Sequence, residues 1–431
     1  MVRTLNEADM RLIVVSDKKT RTSFHKVPRI LYKNDPNWVC PIEKVTEAVF
    51  DRGKNKLFKN GNARRWILLD DRNRLIGRVA AFYNREMAAR NKQPTGGLGW
   101  FECINDQEAA NRMFDAARDW LREEGMEAMD GPVNFGSTES NWGLLVEGFT
   151  HPGYGMPYNF PYYKDLFYHY GFKLFFRQYS YHIDITQPFP ERFWKIAEWV
   201  ARKKEYEFRH SEVSRAEKYA RDIIEVYNHA WSKFKEDFVP MDLDDITNTM
   251  KMAKSFVEED LIWFVYHEGK PIAFYIIFPD VNQILKHLNG KLHLLNKLRF
   301  FYYLKQRKVT RVRAIAAGVV PRFQNTGIES GIFKHLEHSF KKKYWMTEIE
   351  LSWVGDFNPK MRSLYEAVGG ELAKKHETLR YLFDREAAFE RFMPEHMAKF
   401  KKTHEGEFQE EINYDPHKIR SDYNYLKNKP L

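Results

Sequence analysis

Apolar residues recur at two spacings along this chain, and the order of those spacings repeats. Short apolar runs read as strands over 65–69 and 75–83, with the polar turn DDRNR at 70–74 closing a hairpin. The run 98–104 leads into 106–124, where Ala109, Met113, Ala117 and Trp120 return at helical spacing. The second half offers a helix carrying Tyr219, Ile223, Val226, Tyr227 and Ala230, then strands 261–266 and 272–278 joined by HEGK. A third strand over 312–320, a helix over 327–340, a strand over 348–354 and a short helix ending at Gly369 complete the series. An offset of 198 pairs Pro161 with Pro359, Leu166 with Leu364, Phe167 with Tyr365, Gly171 with Gly369 and Leu174 with Leu372, as a duplication would. The break QPFP at 187–190 marks the linker. The expected domains are 1–187, 188–385 with an insertion at 281–310, and a helical extension with a polar tail over 386–431.

Composition narrows the class. At 431 residues two cores are the expectation, and 43% hydrophobic residues suffice for both. A net charge of +10 favours acidic partners: phosphates, CoA or an anionic bilayer. Nucleic acid is disfavoured because no recognised binding module accompanies the charge. Cys40 and Cys103 form neither a disulfide framework nor a metal cluster, so a cytoplasmic protein without a metal site is expected. The N-terminal apolar run is too short for a signal peptide, and no stretch approaches the roughly 20 apolar residues of a membrane span. Membrane contact, if made, is peripheral, at the inner membrane face.

The strongest motif is GVVPRFQNTGIESGIFKHLEH, 318–338. A β-branched strand runs into Pro321, a polar turn and an amphipathic helix. Glycine in such a turn lets backbone amides approach a pyrophosphate, and the helix N-terminus adds unpaired N–H groups. The run resembles the acyl-CoA-binding motif of the GNAT superfamily of N-acyltransferases, through Val319, Pro321, Gln324, Gly327 and Ile332. That resemblance implies α/β tandem GNAT-like domains, each a mixed, mostly antiparallel central sheet flanked by helices. It assigns acyl-CoA contacts to Val319, Val320, Arg322, Gln324, Asn325, Thr326, Gly327 and Ile328. Glu329 departs from it, standing where the family has Gly or Ala and where a carboxylate opposes phosphate. Downstream, ELSWVGDFNPKMRSLYEAVGGEL resembles the superfamily's next strand and helix. Asn358 fits the helix-capping residue that reaches the pantetheine, and Tyr365 fits the phenol that protonates the leaving thiolate. A core aromatic on an amphipathic helix is the other reading of Tyr365. The first half has no glycine turn, carries Glu102, Asp106 and Glu108 at the matching junction, and has Phe167 in place of the tyrosine.

Two further segments narrow the substrate. No acidic residue lies between Asp280 and Glu329, and basic residues there alternate with Leu, Phe and Tyr. Such a stretch suits an anionic bilayer surface, or covers the core, or meets CoA phosphates. The loop 131–172 is dense in Gly, Pro, Asn and aromatic residues, as functional loops are. It supplies Glu139 and His151 as candidate general bases and Asn134, Tyr158, Asn159, Tyr162 and Tyr163 as candidate substrate contacts. Loop, insertion and motif together resemble the bacterial ceramide synthase-like family over residues 1–385. The resemblance implies transfer of a fatty acyl group from a CoA or carrier-protein thioester to the amine of a sphingoid base, with no permanently bound cofactor. Another amine acceptor, or a silent acyl-CoA- or lipid-binding protein, are the alternatives.

Overall fold

The computed structural model describes residues 10–136, 142–231, 243, 246, 247, 257–324 and 326–394. The N-terminal half runs β1 (Arg11–Val14), α1 (Lys18–Leu31), α2 (Glu43–Val49), β2 (Gly61–Leu69), β3 (Leu75–Asn84), β4 (Thr95–Cys103), α3 (Gln107–Glu123), β5 (Ala128–Gly131), β6 (Leu144–Glu147), α4 (Tyr163–Tyr170) and β7 (Lys173–Asp184). The C-terminal half runs α5 (Glu191–Ala201), β8 (Tyr206–His210), α6 (Ala216–Trp231), β9 (Ile262–His267), β10 (Lys270–Pro279), α7 (Leu294–Lys305), β11 (Arg311–Val319), α8 (Ile328–Lys342), β12 (Glu348–Gly355), α9 (Pro359–Ala367) and β13 (Glu371–Leu382). Residues 10–391 form one unit; of the second, Phe392–Leu431, only 392–394 are described, so the expected tail lies outside the described residues.

All thirteen strands join one mixed sheet in the order β1-β2-β3-β4-β5-β13-β7-β12-β11-β10-β9-β8, with β6 on β13. Most neighbours are antiparallel; β4 with β5 and β11 with β12 are the parallel pairs. The two halves exchange strands. β13, last in the chain, lies beside β5, while β7 lies beside β12. Between them β7 and β13 pair antiparallel, with Lys173 opposite Arg380 and His182 opposite Glu371. Adding 198 to the β7 residue of each pair gives the β13 residue of the other, 371 from 173 and 380 from 182, so the pairing obeys the duplication. Gln178 and His376 are repeat equivalents and face each other, on the axis that relates the halves.

Alternation along β7 sends Tyr179, Tyr181 and Ile183 to the helix side, into a core with Val200, Phe333 and Tyr365 from α5, α8 and α9. The N-terminal core is built likewise, with Ala109, Met113, Phe114, Ala117 and Trp120 of α3 against β3 and β4. Gln178, Ser180 and His182 point to the other side, beside Lys374, His376 and Thr378. That side carries buried charge: Lys374 Nζ lies 2.8 Å from Glu350, Arg311 lies 3.4 Å from Glu350 and 2.6 Å from Asp280. Lys374, Glu350 and Asp280 are 3, 1 and 0% exposed, so neither sign could remain there alone. Lys374→Met should therefore lower unfolding free energy by about 3–5 kcal/mol, the cost of breaking a buried pair from one side. Urea denaturation of the purified protein measures it.

Candidate active site

The parallel contact between β11 and β12 lasts three residue pairs, ending at Arg313 opposite Glu350. Beyond it the strands part, with a register shift on β12 between Leu351 and Val354 and another on β10 between Ile276 and Ile277. Small residues, Ala314, Ala316, Ala317 and Gly318, line this stretch of β11 and leave the opening a wedge. One bridge crosses it, from Ser352 Oγ to Ile315 O at 2.5 Å. At its end β11 turns through Pro321–Phe323 into Gly327, which starts α8 at φ +80°. Gly327 at the start of α8 has no side chain to cap it, and in the first turn the Glu329 carboxylate accepts from its own N–H. A fifteen-residue helix is thus left without the usual capping side chain where an anion could sit. Thr326 Oγ1 donates to Phe323 O at 2.6 Å and Gln324 Nε2 to Val319 O at 3.1 Å, which holds the turn.

The matching place in the other half is filled. Asp106 caps α3 by accepting from Ala109 N at 2.9 Å, placing a carboxylate where an anion would sit. Val133 N donates to Leu98 O at 2.8 Å, so the chain after β5 closes the gap beside β4. Only the C-terminal half combines an open wedge with an uncapped helix among the described residues.

The expected contacts divide accordingly. Val319, Val320, Arg322, Gln324, Thr326, Gly327 and Ile328 lie along the turn, although the Ile328 side chain is wholly buried and could offer only backbone. Asn325 and Glu139 lie outside the described residues. Asn358 caps α9, its Oδ1 accepting from Met361 N at 3.2 Å. Tyr365 is buried on α9 with its ring 5.5 Å from that of Tyr181, and burial raises its phenol above the ordinary range. Glu329 is turned inward: burial raises its carboxyl, and it in turn helps to raise the Tyr275 phenol on β10.

The aromatic loop is placed differently from expectation, because its polar groups hold the fold. Tyr163 OH donates to Glu102 at 2.9 Å and accepts from Cys103 N at 2.9 Å; Tyr162 OH donates to Cys103 O at 2.7 Å. Tyr158 OH donates to Asp35 at 2.8 Å. Asn159 spends its amide on both backbone groups of Leu145 and on Phe160 O. Asn134 lies just past β5, in the chain that closes the N-terminal gap. The polar groups of Tyr158, Asn159, Tyr162 and Tyr163 are engaged with Asp35, Leu145, Phe160, Cys103 and Glu102. His151 is engaged too. Arg311 Nη2 donates to its Nδ1 at 2.9 Å, which leaves the proton of the neutral ring on Nε2, and burial with Arg311 lowers its pKa to about 4. A ring without a free lone pair is not a base.

What the loop does instead is cover the charged side of the sheet near the wedge. Arg311 also donates to His151 O, Asn282 Nδ2 to Pro152 O, Tyr154 N to Asp280 and Arg313 to Tyr154 O. Beneath it, with Trp142 of the loop packed against His376, lie Gln178, Ser180 and His376. The sequence reading passed over the last three, since isolated polar residues in mixed segments carry no motif.

No protein-family model matches the chain. It is 26% identical over 373 residues to Protein YghO of Escherichia coli K12, covering 84% of this chain and 92% of that one. It is 26% identical over 389 residues to the bacterial ceramide synthase of Caulobacter vibrioides, covering 84% and 95%. Among solved structures it resembles a tandem GNAT protein from the clavulanic acid biosynthesis pathway, with a TM-score of 0.54 and 10% identity over 88% of this chain and all of that one. A GCN5-related N-acetyltransferase from Sphaerobacter thermophilus gives a TM-score of 0.51 at 9% identity, over 90% of this chain and 100% of that one. The chain thus has the tandem GNAT fold and is similar in sequence, over most of its length, to a bacterial ceramide synthase.

Glu329 makes this phosphate turn testable. As a carboxylate in the first turn of α8 it competes with a bound anion for the helix end. Glu329→Gln should tighten CoA binding several-fold at pH 8. The raised carboxyl takes up its proton as pH falls, so the advantage of the variant should shrink toward pH 5. Titration calorimetry with CoA at both pH values checks the sign.

Proposed function

We propose that this chain, an acyl-CoA-dependent N-acyltransferase by fold and relatives, transfers a long-chain acyl group to the amine of a sphingoid base. The observation that carries the reading is the open β11–β12 wedge ending at the uncapped α8, matched by a filled counterpart in the other half. The pyrophosphate of CoA, or the phosphopantetheine of a carrier protein, meets the α8 amides, and the pantetheine arm runs into the wedge. The amine lone pair attacks the thioester carbonyl carbon, the C–N bond forms, and the C–S bond breaks. The leaving thiolate takes a proton from Tyr365, a buried phenol that is protonated at neutral pH; the nitrogen releases its surplus proton to solvent, and solvent returns one to the phenolate. No cofactor is consumed besides the acyl donor.

The acceptor class is supported by α7. Leu294, Leu295, Leu298, Phe301 and Tyr302 on one face are between 48 and 73% exposed, while Phe300, Tyr303 and Leu304 pack on Val281, Ile284 and Val309. Lys291, Lys297, Arg299, Lys305 and Lys308 flank the exposed face, so it is both apolar and cationic. Each basic residue near an anionic bilayer contributes about 1 kcal/mol. No helix among the described residues is long and apolar enough to cross a membrane. The contact is peripheral, as an acceptor with a long alkyl chain requires.

Purified protein given palmitoyl-CoA should release thiol only when a long-chain 2-amino-1,3-diol is added. Release that does not depend on amine would refute transfer, and Tyr365→Phe should lower kcat about 10²-fold or more. In flotation with phosphatidylglycerol-containing vesicles the protein should rise with lipid. Leu295→Asn/Leu298→Asn/Phe301→Asn should stay below, and neutral phosphatidylcholine vesicles should bind less well than anionic ones.

A further inference from the structure

Four polar groups meet at the centre of the molecule with nothing to satisfy them. Trp142 Nε1, Gln178 Oε1, Ser180 Oγ and His376 Nδ1 are each buried and without a hydrogen-bond partner among the described residues. The four residues are 3% exposed or less. They are neighbours: Gln178 faces His376 across β7 and β13, and Ser180 faces Lys374 two pairs further on, on the same face of the sheet. The Trp142 and His376 rings are 4.6 Å apart. Gly143 brings the loop down on the pair, since a Cβ there would stand 2.9 Å from Gln178 Oε1 and 3.1 Å from His376 Cβ. Orphaned buried groups are costly, about 1–3 kcal/mol apiece, and four together call for a polar occupant.

Their chemistry describes that occupant. Gln178 Nε2 donates to Thr378 Oγ1 at 2.7 Å, which aims Oε1 away as an acceptor. His376 Nε2 lies 3.4 Å from the Pro157 carbonyl, which can only accept, so the ring proton is on Nε2 and Nδ1 offers its lone pair. The ring is neutral, lowered to about 3 by burial, with Lys374 and Arg313 adding to it. Ser180 accepts or donates, and Trp142 Nε1–H donates only. Three acceptors and one donor, beside two fixed cations, suit a neutral group rich in O–H and N–H bonds. An ammonium is disfavoured there; the uncharged amine that attacks a thioester is not.

Position agrees with chemistry. Tyr181 pairs with Leu351 and Tyr179 with Val354, so Ser180 lies where β12 shifts register and leaves β11. The cluster is therefore level with the wedge, and Trp353 from that shifted stretch packs 5.6 Å from Trp142. We propose that Trp142, Gln178, Ser180 and His376 form the head-group site of the acceptor, binding the hydroxyl next to its amine and so selecting amino alcohols over plain amines. This rests on the acyltransferase reading and adds the residues that recognise the substrate.

The test compares a long-chain 2-amino-1,3-diol with the chain-matched 2-aminoalkane that lacks both hydroxyls. Binding is measured directly by titration calorimetry in detergent micelles, and turnover separately by thiol release. Wild type should bind the diol about tenfold or more tightly. Gln178→Met and His376→Phe should bring that ratio to within about twofold of one, while binding of the plain amine changes little. Ser180→Ala, the smallest change in the cluster, should lower the ratio in the same direction and serves if the larger changes do not fold. A wild-type ratio near one, or a ratio that survives all folded variants, overturns the proposal and leaves the cluster a buried hydration site. Selective binding without thiol release would sink the acyltransferase reading instead and leave the head-group site standing.

Discussion

Lys374, Glu350, Arg311 and Asp280 form a chain of opposite charges in a layer that water does not reach, and each must find its partner there or cost several kcal/mol. The four residues sit on β13, β12, β11 and the end of β10. Their pairing therefore fixes the register of strands from both halves of the sequence at once. A slip of one residue would turn a charge toward the helix-side core, where Tyr181, Ile349 and Leu351 pack. The same chain holds the covering loop, since Arg311 and Asp280 also bind His151 O and Tyr154 N. The wedge opens just past Arg313 and Glu350, so the sheet divides where this run of buried charge ends.

Duplication supplies two copies of the scaffold, and small substitutions have made them unequal. In the first copy Asp106 occupies its own helix end, Val133 fills the gap beside β4, and Phe167 stands where the second copy has Tyr365. In the second copy Gly327 leaves the helix end bare. The axis between the copies is where this divergence matters most. Strict symmetry would place like residues opposite each other at 178 and 376, and the chain has glutamine opposite histidine.

The sequence made β2, β3, β4 and β9 to β12 readable as short apolar runs, and α3 and α8 by apolar residues at helical spacing. The short, half-exposed edge strands β1 and β8 carried too little pattern to be seen. β7 and β13, KLFFRQYSYHID and ELAKKHETLRYL, escaped because both of their faces are buried and one of those faces is polar. Lys374, His376 and Glu377 in a row read as a solvated segment, and only partners far away in sequence make it a central strand. The turn at Gly327 was legible because its signal is local, a glycine between a strand and a helix. The polar cluster was not, since Trp142, Gln178 and His376 meet only after the strand exchange. The part that the aromatic loop plays in the fold was hidden for a related reason. Tyr158, Tyr162 and Tyr163 resemble ligand contacts by composition, but their hydroxyls end on Asp35, Cys103 O and Glu102.

A continuous sheet separates its two faces, and that constraint governs how such a protein could work. The α8 end and Tyr365 belong to the helix side, while the orphaned polar cluster belongs to the opposite side. A thioester on one side and an amine on the other can meet only where the sheet is open, and β11 and β12 part at that level. The insertion bearing α7 leaves β10 beyond Asp280 and rejoins at Arg311, the ion pair that also anchors the covering loop. The apolar, cationic helix α7 is thus fastened to the same two residues as the loop that covers the polar cluster. An acceptor whose tail stays in the bilayer would need its head group carried only across that shared anchor. The apolar surface of α7 and the buried polarity of the axis then serve the two ends of one amphipathic molecule.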